Sequence, residues 1–178
     1  TPLYSSAASD VYKRQDVRAA LKNPLVSICT DSGAKAIDGP MSESKSHPRA
    51  WGSFPRILGK YVRDERLLTL EEAIRKMTSQ PAARVHLDDR GILRPGMAAD
   101  VTVFDPATIR DLATFEQPAQ YSVGVKYVLV NGRPVIFDGQ ITSERPGRPL
   151  PRKGVGRIFN FCHAGLLATR CPPSFPAK

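Results

Sequence analysis

Asp31 closes the uncharged run Leu25-Val26-Ser27-Ile28-Cys29-Thr30 and is followed by Ser32-Gly33, so a carboxylate stands where an apolar segment turns outward. A side chain of that type can take a proton from water and pass it to a leaving group. It can also simply cap the turn, and the pattern leaves both readings open. Arg49, within His47-Pro48-Arg49, offers a planar guanidinium fork that matches a carboxylate, although most arginines are solvated. His47 precedes Pro48 in a loop and could line the same site, His86 reads as structural, and His163 lies in the tail. Cys29 shares a strand face with Ser27 and Asp31 by alternation, and reads as packing. The chain has no His-x-His pair, whereas a catalytic zinc needs about three protein ligands.

These residues need elements to hold them. Asp16-Val17-Arg18-Ala19-Ala20-Leu21-Lys22 keeps Val17, Ala20 and Leu21 on one helical face, and Asn23-Pro24 stops it. Leu25 to Thr30, uncharged and β-branched, is expected to form a strand buried on both faces, as in a parallel sheet. Residues 34–50 read as a polar loop. Phe54, Ile57, Leu58, Tyr61 and Val62 then recur at helical spacing. Thr69, three residues before Glu72, opens a further helix with a capping box, carrying Leu70, Ala73, Ile74 and Met77 as its apolar stripe; Pro81 is expected to end it. Beyond Val85 the pattern changes to strands and turns. Arg94-Pro95-Gly96 suits a tight turn. Ala99–Asp105 and Lys126–Val130 read as strands, and Asn131-Gly132 joins the second to Pro134–Phe137 as a hairpin. Pro134 cannot donate to a ladder, so it should start its strand or lie at an edge.

A chain of 178 residues with 41% apolar and 24% charged residues is globular in composition. Its apolar runs fall far short of the ~20 residues that cross a bilayer, and no secretory leader is visible, so a cytoplasmic protein without a membrane partner is expected. Three cysteines at unrelated spacings do not make a disulfide framework. The net charge of +9 is concentrated: residues 144–178 carry +6, residues 1–15 carry +1, and the body from 16 to 143 only +2. No recognition helix or aromatic-basic platform accompanies the tail, so specific nucleic-acid binding is not expected.

Thr30-Asp31-Ser32-Gly33 and the block from His47-Pro48-Arg49 through Gly59-Lys60-Tyr61-Val62-Arg63 resemble the final barrel strand and following loop of N-acyl-D-amino-acid deacylases, in the amidohydrolase superfamily. Gly91-Ile92-Leu93-Arg94-Pro95-Gly96-Met97-Ala98-Ala99-Asp100-Val101, with Val130-Asn131-Gly132 and Asp138-Gly139, resembles the small β domain of that superfamily. The resemblance implies an α/β fold: the last strand and helices of a (β/α)8 metal-dependent hydrolase barrel plus a small β domain, present here as a fragment. It implies residues 1–15 as a foreign segment, 16–82 as the barrel end, 83–143 as the small β domain and 144–178 as a basic, Pro-rich, disordered tail. Asp31 would then be the aspartate that handles the proton of the nucleophilic water and approaches the metal, and Arg49 the arginine that binds the free carboxylate of a small-molecule N-acyl amino acid. Zinc would be the cofactor of the complete enzyme, held mainly by residues this chain lacks. The family pattern carries Gly directly after the aspartate, whereas here Ser32 intervenes. Two alternatives remain: a dihydroorotase-like or hydantoinase-like cyclic amide hydrolase, and a non-enzymatic β module with a basic tail.

Overall fold

A computed structural model describes residues 6–33, 36–37 and 47–150, with side chains from residue 14 onward. Helix α1 (Ser6–Lys22) runs without a break through the expected junction at 15/16. It buries Leu21, while Val17 on the same expected face is 44% exposed. Asn23 ends it by accepting the Leu25 amide on Oδ1 at 2.9 Å, a local turn that asparagine side chains favour.

The segment after Asn23 corrects the sequence reading. Residues 25–30 are extended, but they form no strand; Leu25 is 72% exposed, and Cys29, expected in packing, is exposed as well. A parallel strand exists only where neighbouring strands take up its amides and carbonyls, and no such neighbour is present among the described residues. Ile28 alone of its apolar side chains packs against the core cluster.

The helical spacing from Phe54 onward holds, with a change of geometry the pattern did not reveal. Helix α2 (Arg49–Arg56) contains Pro55, which supplies no amide and crowds the carbonyl one turn back. Directly after it the chain widens into a π-helix over Ile57–Asp64, closed by the Glu65 amide donating to the Lys60 carbonyl at 2.8 Å. Gly59 sits on this widened turn where a β-carbon would come within 2.6 Å of the Ile109 carbonyl, so no larger residue fits. Arg63 donates to the same carbonyl at 2.7 Å.

Helix α3 (Leu70–Met77) starts as expected: Thr69 Oγ1 accepts from the Glu72 amide at 3.2 Å. Its end is not at Pro81. Thr78 turns the chain after Met77, and Pro81 lies in the first turn of a further helix, α4 (Ser79–Arg84), where the missing amide costs no helical bond.

Strands β1 (Val101–Phe104), β2 (Val125–Val130), β3 (Arg133–Phe137) and β4 (Gln140–Ile141) make an antiparallel sheet in the order β1-β2-β3-β4. The hairpin turn is the expected one, with Asn131 at φ 49° and Gly132 at φ 78°, the left-handed pair that matches strand twist. Arg94-Pro95-Gly96 also turns as read, Met97 donating to the Arg94 carbonyl at 3.1 Å. Pro134 lies one residue inside β3, beside a register shift in β2, and beyond the two-residue ladder of β4. A polar knot fixes the hairpin: Asp100 accepts the Asn131 amide at 2.8 Å and pairs with Arg90, which is 8% exposed. Arg90 also donates to Asn131 Oδ1 at 3.3 Å.

The long β1–β2 connection carries Ile109, 1% exposed, into the same cluster as Leu21, Ile57, Leu58, Tyr61 and Ala73, with Phe104 and Val125 packed against it. The root of the sheet and the helices therefore share one core. No helix among the described residues is long and apolar enough to cross a membrane. His163 and the tail from residue 151, as well as most of the expected loop from 34 to 46, lie outside the described residues.

Candidate active site

Asp31 ends the extended segment with φ 49°, a left-handed conformation that aspartate tolerates better than most residues. The turn is thus made by the carboxylate-bearing residue itself, although the sequence suggested Gly33. Arg49 opens α2 and reaches back to it, Nη2 to Asp31 Oδ2 at 3.0 Å. The sequence separates these residues widely, and the fold brings both together. The side chains are 47% and 80% exposed; an ion pair in that setting contributes only about 0–1 kcal/mol. A competing carboxylate can therefore take the guanidinium at little cost.

His47 is placed next to the pair through the backbone. Its Nδ1 accepts the Arg49 amide at 3.1 Å, satisfying one of the amides that a helix start leaves without an internal partner. Its ring meets Phe115 edge-on, centroids 5.1 Å apart. Ser53 completes the support of Arg49 by donating to its carbonyl at 2.7 Å. A cavity of about 400 Å³ opens here, lined by His47, Arg49, Arg56, Asp111 and Phe115 among others. Arg56 is tied to Asp111 at 2.6 Å. Neither Phe115 nor Asp111 was marked by the sequence, since both lie in an irregular connection with no period to read. His86 stands apart, exposed after α4.

A second cavity, about 620 Å³, lies between α3, α4 and β1, with Leu70, Ile74, Ile92, Leu93, Val101 and Phe104 in its walls. Its carboxylate, Asp100, is already held by Arg90, so this apolar groove does not have the groups for hydrolysis.

The described residues do not make a zinc site by themselves: no group of three or more His, Cys, Asp or Glu is gathered among them, and about three protein ligands are needed. What this chain brings together is one carboxylate, one guanidinium and an imidazole against an aromatic ring.

The sequence of residues 16–136 matches the Amidohydrolase family, and the chain belongs to that family of metal-dependent hydrolases. It is 49% identical over 115 residues to a D-aminoacylase of Alcaligenes xylosoxydans xylosoxydans, a match covering 65% of this chain and 24% of that protein. The fold is similar to the crystal structure of an N-acyl-D-glutamate deacylase from Bordetella bronchiseptica, solved with zinc and a phosphonate that mimics the tetrahedral intermediate. The TM-score is 0.66 at 42% identity, covering 75% of this chain and 27% of that one. A dihydroorotase of Lactobacillus acidophilus matches less, at 34% over 73 residues, or 41% of this chain and 16% of that protein. The chain thus spans about a quarter of the length of its deacylase relatives.

Proposed function

We propose that this chain is the carboxy-terminal part of a zinc-dependent enzyme that hydrolyses N-acyl-D-amino acids to a carboxylate and a free D-amino acid. The observation that carries the proposal is the Arg49–Asp31 pair, 3.0 Å apart where the apolar segment 25–30 ends. In the complete protein that segment becomes the last strand of a (β/α)8 barrel, its missing ladder supplied by earlier strands, and the β-strands here form the small β domain. Sites in such barrels are built at the carboxyl ends of the strands, where Asp31 stands.

Zinc is the proposed cofactor of the whole enzyme, with imidazole ligands from the part of the protein that this chain does not include. Within this chain, Arg49 holds the carboxylate of the substrate, using a fork that a carboxylate fills with two parallel hydrogen bonds. Asp31, released from Arg49, accepts a proton from the attacking water as its oxygen bonds to the acyl carbon, then delivers that proton to the nitrogen as the carbon–nitrogen bond breaks. His47 orients Arg49 through its amide and, with Phe115, walls the cavity beside the bound substrate.

Assays of the full-length protein on paired N-acetyl-D- and N-acetyl-L-amino acids, and on dihydroorotate, test this reading. Turnover of the D-amides alone is expected. Turnover of the cyclic amide in their place would move the protein to the dihydroorotase-like branch, and tight nucleic-acid binding with no hydrolysis would leave only a β module with a basic tail.

A further inference from the structure

Lys76 is the most completely buried charged side chain of the described residues, 0% exposed on α3. Its Nζ donates to the carbonyls of Asn23 and Val26, the latter at 3.0 Å, while its own carbonyl accepts the Ile28 amide at 3.1 Å. The carbonyls between are taken as well: Arg75 and Gln80 donate to Pro24 at 3.2 and 3.0 Å, and Arg84 donates to Leu25. Four consecutive carbonyls, 23 to 26, are thus held by side chains of α3 and α4.

Burying an ammonium is unfavourable by several kcal/mol unless hydrogen bonds and a partner offset it. Here two carbonyls and Glu72, at 3.7 Å, do so. An apolar side chain would fill the same space without that desolvation cost, so the lysine is better understood as fixing a geometry than as adding stability. The geometry it fixes is the register of residues 23–28, and that register ends at Asp31. An extended chain advances about 3.3 Å per residue, and a one-residue slip turns each side chain to the opposite face. Such a slip would take the Asp31 carboxylate away from Arg49, which is held independently on α2 by His47 and Ser53.

The geometry points to Lys76 as a positioning residue for Asp31, acting through the backbone of residues 23–28. The inference rests on the deacylase reading for its kinetic consequence but not for its structural one. Lys76→Met in the full-length enzyme keeps the length and removes the donors; Lys76→Arg keeps them. With turnover counted per folded molecule from the unfolding transition, Lys76→Met is expected to lower kcat about tenfold or more while KM stays within about twofold, because Arg49 is undisturbed. Lys76→Arg is expected to restore most of the loss. Amide hydrogen exchange across residues 26–31 should speed up in Lys76→Met, with α2 unchanged.

Unchanged kcat per folded molecule, or faster exchange spread equally over α2 and α3, would overturn the assignment. If the full-length protein hydrolyses no N-acyl-D-amino acid, the deacylase reading fails alone; exchange at Ile28 then decides, and unchanged protection there rejects Lys76. Should Lys76→Met not fold, Lys76→Gln, with one amide donor left, is read by the same two measurements and the same outcomes.

Discussion

Residues 101–141 and residues 23–31 are both extended, but they are held in different ways. Each strand of the sheet has a ladder neighbour close in sequence, joined by a tight turn such as Asn131-Gly132. The segment leading to Asp31 has none among the described residues, and side chains of α3 and α4 take its carbonyls. An antiparallel meander completes itself locally, whereas a parallel barrel strand depends on partners far away along the chain. The sheet therefore stands as it would in the whole enzyme, while the strand that bears the catalytic carboxylate waits for its neighbours.

The largest effect expected from disturbing the site half of that comparison comes at Arg49. Arg49→Met in the full-length enzyme should lower kcat/KM by about 2–5 kcal/mol equivalent, the usual cost of removing one partner of a charge pair on a bound ligand. Arg49→Lys should recover only part, since a point charge does not reproduce the fork. On the sheet half, Asp100→Ala strands the buried Arg90 cation and should destabilise the protein by about 3–5 kcal/mol, measured by urea unfolding. Activity per folded molecule should change little, because Asp100 touches the hairpin and not the Asp31–Arg49 pair.

These two halves were not equally legible in the sequence. Thr69 with Glu72, Arg94-Pro95-Gly96 and Asn131-Gly132 announced their caps and turns because each works through atoms a few residues apart. Asp31 and Arg49 were recognisable as residues of the right chemistry, but only the fold brings them within 3.0 Å. The strand expected at 25–30 failed because its partners are non-local. The π-helix at 57–64 was invisible, since the apolar positions from Phe54 to Val62 fit an ordinary helix and the widening depends on Pro55 and on Gly59 lying against Ile109. Lys76 did carry a signal: it falls three residues after Ala73, on the apolar stripe of α3, where a charge needs a partner.

A smaller effect concerns metal. Purified chain of these 178 residues should bind no stoichiometric zinc, because no three donors converge among the described residues. About one zinc per chain by elemental analysis would contradict this.

The smallest effect should be seen in acid. Asp105 is held below its ordinary value of 3.8, first by the Ala107 amide and then by the Thr108 hydroxyl. Glu72 is held below 4.5, chiefly by its hydrogen bond to Arg75. Both are depressed, so their contribution is fully present above those ordinary values and is lost as pH falls through the lower folded-state values. The melting temperature should be flat above about pH 5 and decline below about pH 4. Thr108→Val should shrink the decline by weakening the hold on Asp105.

The account stands or falls most directly on Asp31→Asn in the full-length protein, assayed against an N-acetyl-D-amino acid with folding checked by circular dichroism. A fall in kcat of about 10²-fold or more, with the spectrum and KM nearly unchanged, is the predicted result for a proton-transferring carboxylate. Wild-type turnover by that variant would remove Asp31 from the chemistry and leave its pairing with Arg49 as a surface contact.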